Sequence, residues 1–167
     1  MNILYTNFHF SEGGGHTTYI LSLLNNPKHN AFVGCPPSSR LYRILEESKY
    51  PRLIPIEFYA KVKDWRKVRE NTAALRRAIE EHSIDIVHTN GSPDNRMAFY
   101  ASWSSKKKFK IVFTKNNSRP IKGFISRLRF KHINKAVIFV SEPSCRESGF
   151  DLGNPRFHAI ENGVDLG

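Results

Sequence analysis

Ser11-Glu12-Gly13-Gly14-Gly15-His16-Thr17-Thr18-Tyr19-Ile20 sets three of the chain's ten glycines side by side. They lie between an apolar opening run, Asn2-Ile3-Leu4-Tyr5-Thr6, and a helix-like run from Thr17 to Leu24. A glycine turn between a first strand and a first helix lets a ligand reach the backbone without meeting a Cβ. The helix start then offers free N–H groups and partial positive charge to a phosphate. A plain flexible turn is the other reading of the same three residues. The run is neither a G-x-G-x-x-G dinucleotide fingerprint nor a Walker motif, and no acid closes a second strand near residues 31–35 to hold a ribose.

Working outward, short apolar runs rich in β-branched residues recur at residues 3–6, 31–34, 53–58, 84–88, 110–114, 136–140 and 157–160, and each predicts a strand. Helical spacing appears between them, in Trp65, Val68, Thr72, Leu75 and Ile79, and again in Ile121, Phe124, Ile125 and Leu128. Pro36-Pro37-Ser38-Ser39 and Asn90-Gly91-Ser92-Pro93-Asp94 read as strand-to-helix loops whose Ser and Asp cap the following helices. Strands alternating with helices predict an α/β fold: one doubly wound, mostly parallel, Rossmann-like sheet covered on both faces.

The 167 residues, 40% hydrophobic, suffice for one domain with a core. Two cysteines, Cys35 and Cys145, make neither a disulfide framework nor a four-ligand zinc site, and no CxxC or HExxH spacing occurs, so no metal is indicated and a reducing compartment is expected. No apolar run approaches the roughly 20 residues of a membrane span, and the N-terminus lacks the pattern of a signal peptide. The net charge of +11 is concentrated: Lys106 to Lys135 holds eleven lysines and arginines and no acid, leaving 15 basic residues elsewhere against 15 acidic ones. Such a face meets a phosphorylated ligand, an anionic membrane or nucleic acid, or is simply a solvated surface.

Four segments in order carry a resemblance: the opening strand with Gly14-Gly15 and the Leu23-Leu24 helix end, Ile84-Asp85-Ile86-Val87-His88-Thr89-Asn90, Phe139-Val140-Ser141-Glu142, and Ile160-Glu161-Asn162-Gly163-Val164-Asp165. Across nearly the whole chain they resemble the N-terminal half of family 4 glycosyltransferases of the GT-B architecture. The resemblance implies a Rossmann-like acceptor-side domain over residues 1–160, the start of an interdomain segment at 161–167, and a C-terminal donor domain, with an E-x7-E motif, that this chain lacks. It implies a nucleotide sugar as donor substrate, no resident cofactor, a glycan or lipid-linked acceptor, and a role in lipopolysaccharide or cell-surface polysaccharide biosynthesis. The isolated domain is expected to be inactive. The sequence departs from the family at Asn90, where many relatives have histidine, and at Asn116, which replaces the histidine of a T-x-H strand; an amide hydrogen-bonds but does not titrate.

Gly13, Gly14, Gly15 and His16 are thus expected beside the donor phosphates and sugar. The acceptor side is expected to comprise His88, Asn90, Lys115, Asn116, Asn117, Arg119 and Glu142, with His88 and Asn116 as catalytic candidates. His88 could equally be a hydrogen-bonded, partly buried histidine at a strand end. The helix carrying Ile121, Phe124, Ile125 and Leu128 is expected to pack that stripe on the sheet and to turn Lys122, Arg127, Arg129 and Lys131 toward anionic headgroups. The expected location is cytoplasmic, peripheral on the inner face of the membrane. The competing function is a non-catalytic Rossmann-like module that binds nucleic acid or another polyanion; the chain shows no RNP-like motif, zinc finger or helix-turn-helix signature.

Overall fold

The computed structural model describes residues 1–24, 28–59, 64–117, 119–121 and 123–161. Ser118, Lys122 and all but the first residue of the expected interdomain segment lie outside the described residues. Seven strands form one parallel sheet: β1 (Asn2–Thr6), β2 (Asn30–Cys35), β3 (Leu53–Pro55), β4 (Ile86–Thr89), β5 (Lys110–Lys115), β6 (Ala136–Phe139) and β7 (Phe157–Ala159). Their order is β3-β2-β1-β4-β5-β6-β7. The direction of winding reverses between β1 and β4, where Tyr5 pairs with His88. That is the point at which open α/β sheets leave a crevice beyond the strand ends.

The strand side chains alternate, so each run serves two cores. Ile3 and Tyr5 pack with Ile20 of α1 (Gly14–Leu24) and with Leu41 and Leu45 of α2 (Arg40–Glu47). Leu4, Val87 and Ile111 pack on the opposite face against Leu75 and Ile79 of α3 (Trp65–Glu81) and Met97, Ala98 and Ala101 of α4 (Ser92–Ser104). A third cluster, Phe113, Phe130, Phe139, Phe150 and Phe157, closes the β5–β7 end.

Ser39 caps α2 as its position predicts, its Oγ accepting from Tyr42 N at 3.1 Å, a contact worth about 1 kcal/mol. Asp94 behaves differently. It sits inside the first turn of α4 and reaches back, with Oδ2 accepting from Asn90 N at 2.8 Å and from Thr6 Oγ1 at 2.5 Å. The strand expected at 53–58 ladders only over Leu53–Pro55, because this edge strand ends at a proline that has no N–H to donate. Ile56 and Phe58 then turn into the α3–α4 core.

The largest departure lies after β5. The expected helix is only α5 (Phe124–Leu128), which runs into a π-helical turn at Arg129–Ile133 before β6. Phe124 is 76% exposed and Ile125 74%, so these two do not pack on the sheet, while Ile121 packs against the cluster at the β5–β7 end. The inward positions belong instead to Phe130, edge-on to Phe113 at 4.7 Å between ring centroids, and to Arg129. The remaining helix is α6 (Glu142–Glu147), capped by Ser141 Oγ.

Candidate functional site

The glycine turn divides into two parts with different jobs. Gly13 and Gly14 take positive φ, 66° and 45°, and Gly15 does not. A Cβ on Gly13 would meet Thr17 Oγ1 at 2.8 Å, and that hydroxyl donates to Glu12 O at 3.2 Å, so Gly13 serves the turn itself. A Cβ on Gly14 or on Gly15 would meet nothing within 4 Å. Gly15 therefore has no conformational or packing reason within the described residues to be glycine.

The loop after β1 builds the neighbouring wall. Phe8 packs against Gly91, where a Cβ would come within 2.1 Å of the ring. His9 lies tilted against Phe8 at 4.0 Å and against His16 at 4.7 Å between ring centroids. Burial pushes the His16 imidazole down to about 4, with a smaller push from His9, so it is neutral near pH 7. Asn116 Nδ2 donates to His16 Nδ1 at 3.3 Å, joining the β5 loop to the start of α1.

Between these walls lies a cleft of about 300 Å³, lined by Phe8, His16, Asn90 and the β5 loop. Asn90 is 2% exposed; its Nδ2 donates to Thr6 O at 3.0 Å, which fixes the amide orientation and leaves Oδ1 buried without a partner. Lys115 is 5% exposed, and its Nζ donates to Asn117 O and, at 2.9 Å, to Asn117 Oδ1. Burial lowers the affinity of that ammonium for its proton. Arg119 lines the cleft from an exposed position. The cleft thus offers two cations and the Asn116 and Asn117 amides over a lone buried acceptor in its wall, a set suited to hydroxyls and an anion.

A family model for Glycosyltransferase Family 4 matches residues 13–167, from the first glycine of the turn onward. The chain belongs to glycosyltransferase family 4. A comparison with curated proteins returns no match. Among solved structures, the family 4 chain is similar to a glycosyltransferase from Rickettsia africae ESF-5, with TM-score 0.71, 18% identity, and 98% of this chain on 43% of that one. It is similar to MurG of Acinetobacter baumannii, with TM-score 0.67, 13% identity and coverage of 98% and 46%. It is also similar to UDP-GlcNAc 2-epimerase from Neisseria meningitidis bound to UDP-GlcNAc, with TM-score 0.61, 14% identity and coverage of 96% and 46%. These likenesses show the fold, the Rossmann-like half of the GT-B architecture, and the chain spans less than half the length of each structure.

Several expected site residues of the family 4 chain lie elsewhere. His88 is buried, its Nε2 paired with Thr114 Oγ1 at 2.7 Å and its ring against Tyr5 at 5.3 Å. Burial pushes it down to about 4. It is a neutral internal histidine and does not line the cleft, because a strand-end side chain at the sheet centre is covered by α1, whose Tyr19 also contacts Thr114. Glu142 is exposed and paired with Arg146 at 3.7 Å, away from the cleft lining. Arg129 is no surface cation: 4% exposed, it donates from Nε to Asn95 Oδ1 at 2.8 Å. Arg127 donates to Gly149 O at 3.0 Å and stacks over Phe150, while Lys131 is exposed. Since Lys107 pairs with Asp85 and Lys115 is buried, the basic segment presents fewer free charges than its composition suggests. Phe8 and His9 escape sequence reading, and Asp94, expected as a cap for its own helix, also holds the Asn90 backbone and Thr6.

No helix among the described residues is long and apolar enough to cross a membrane.

Proposed function

We propose that this chain is the acceptor-side domain of a glycosyltransferase that moves a sugar from a nucleotide-sugar donor to a glycan or lipid-linked acceptor. The observation that carries this reading is the juxtaposition of open space over Gly14 and Gly15 with a cleft holding the unpartnered Asn90 Oδ1 and the Lys115 ammonium. Asn90 Oδ1 accepts from an acceptor-sugar hydroxyl, a bond whose absence leaves a buried acceptor unsatisfied. Lys115 and Arg119 hold the acceptor's phosphate. The donor sugar passes over Gly14 and Gly15, and a second α/β domain of the same protein holds the nucleotide. Asn116 and neutral His16 orient groups and carry no charge. The reading uses no metal or resident cofactor.

The outward Phe124 and Ile125, beside Arg127 and Lys131, form an exposed apolar patch with basic neighbours, which supports peripheral attachment to an anionic membrane and an acceptor made there. We place the reaction in lipopolysaccharide or cell-surface polysaccharide assembly on the cytoplasmic side. The test is initial transfer rate in the complete enzyme across a panel of nucleotide sugars and prenyl-diphosphate-linked acceptors. Asn90→Ala and Arg119→Gln are expected to lower acceptor kcat/KM by about tenfold or more, the scale of a lost charge-assisted or buried hydrogen bond. Transfer to no acceptor, or unchanged kcat/KM in both variants, would refute the assignment.

A further inference from the structure

The face of the sheet covered by α3 and α4 carries a second concavity, a groove of about 560 Å³ between the two helices that shares no lining residue with the cleft. Its size is that of a small-molecule site. The walls are apolar and aromatic: Trp65, Val68 and Ala73 from α3 and Tyr100 from α4, with Trp65 left 59% exposed. The polar groups present are donors in search of acceptors. Arg69 makes no hydrogen bond or ion pair among the described residues, and Arg76 Nε and Thr72 Oγ1 are both buried without a partner. A helical threonine ordinarily returns its hydroxyl to a carbonyl one turn back, and Thr72 does not. Glu80, one turn after Arg76, attracts it electrostatically but takes its hydrogen bond from Lys106 N at 2.8 Å, which leaves Arg76 Nε without an acceptor, and Glu70 lines the adjoining hollow with Arg66 and Arg77.

An aromatic trough ending in unpaired guanidinium and hydroxyl donors fits a ligand with an apolar body and an anionic head. We propose that this groove binds one molecule of a long-chain alkyl phosphate, its chain along Trp65, Val68 and Tyr100 and its phosphate on Arg69, Arg76 and Thr72. The concave form selects a single dispersed molecule over a bilayer surface, which the exposed Phe124 and Ile125 would meet. Guanidinium and phosphate pair through two parallel hydrogen bonds, so the head supplies the acceptors these donors lack.

The chain has two tryptophans, so Trp103→Phe, at a 75% exposed position, leaves Trp65 as the sole reporter in the groove. Titration of that variant with dodecyl phosphate below its micelle concentration is expected to give a saturable emission change with one site per chain. Arg69→Gln, an exposed substitution that leaves the core untouched, is expected to weaken binding about tenfold, the scale of a lost charge-assisted hydrogen bond. Ala73→Phe, which fills the groove, is expected to abolish it. Dodecyl maltoside tests the chain without the charge and inorganic phosphate the charge without the chain; both are expected to bind at least about tenfold more weakly. Equal affinity for dodecyl maltoside, unchanged affinity in Arg69→Gln, or a response to phosphatidylglycerol vesicles with none to dispersed dodecyl phosphate would overturn the proposal. Because the cleft contributes nothing to this signal, the result stands apart from the transfer assay.

Discussion

Three alanine substitutions in one turn should separate backbone strain, packing and ligand approach. Gly13→Ala suffers both a positive φ of 66° and a 2.8 Å contact with Thr17 Oγ1, so it should be the most destabilised. Gly14→Ala meets no atom but is held at φ 45°, which costs about 1–2 kcal/mol for an L-residue in the left-handed region. For a chain of this length each kcal/mol lowers the melting temperature by about 2–4 °C. Gly15→Ala has neither penalty, and the loss of glycine's freedom in the unfolded chain should stabilise it by about 0.4–1 kcal/mol. Thermal unfolding should therefore rank the variants Gly15→Ala at or above wild type, then Gly14→Ala, then Gly13→Ala. Transfer in the complete enzyme should rank them otherwise: the Gly15 methyl enters the space where the donor approaches, and a displacement of about 1 Å costs a positioned reaction about 100-fold. A Gly15→Ala enzyme that is stable and transfers at the wild-type rate would refute the ligand-approach reading and leave the glycines a turn.

Arg129→Gln should destabilise the fold by about 1–3 kcal/mol by depriving the buried Asn95 Oδ1 of its charged donor, whereas Lys131→Gln should be silent in denaturant titration. In vesicle sedimentation the roles reverse: Phe124→Ser with Ile125→Ser should release the chain from anionic vesicles, and Arg129→Gln should alter binding only through its loss of folded protein. Gly91→Ala should be strongly destabilising because its Cβ would overlap Phe8 at 2.1 Å, and Phe8→Ala should recover most of the loss; additive effects would exclude that contact. Burial holds His88 neutral down to about pH 4 and keeps Asp94 protonated up to about 7. Unfolded His88 takes up a proton below about 6.5, so its stability contribution is lost as pH falls toward 4, while the contribution of Asp94, full below 3.8, is lost as pH rises through about 7. Asp94→Asn, whose carbonyl can still accept from Thr6 and Asn90, removes the opposing term, so its melting temperature should climb more steeply between pH 4 and 6.5 than that of wild type; parallel profiles would contradict the linkage.

The seven strands were legible because burial on both faces demands continuous apolar runs, and a parallel sheet leaves few positions to chance. Periodicity failed at α5 for a physical reason. Ile121, Phe124, Ile125 and Leu128 hold perfect helical spacing, but spacing reports that a stripe exists and not what it faces. The inward side was taken by Arg129, satisfied by Asn95, which in turn contacts Thr89 and Asn134 at 3.0 Å each. A cation can occupy a core position when a buried acceptor such as Asn95 Oδ1 takes its charge-assisted hydrogen bond, and no hydropathy pattern records that pairing.

The site is legible in its parts and hidden in its assembly. The glycine turn, Asn90 and the Lys115-Asn116-Asn117 run each sit at the end of a strand, so the order of the strands alone brings them to one edge. What converts that edge into a cleft is a set of contacts between residues about a hundred positions apart or fewer: Phe8 on Gly91, Thr6 on Asp94, and Asn116 on His16. Each joins the end of one strand, or the loop after it, to the start of a helix after another, across the point where the winding reverses. Asp94 holds the Asn90 backbone from below while Thr6 O takes the Asn90 amide, and this double hold is what leaves Oδ1 without a partner. Turning the amide over would only set its oxygen against the Thr6 carbonyl, so the buried Oδ1 keeps its place and the described residues supply it no donor.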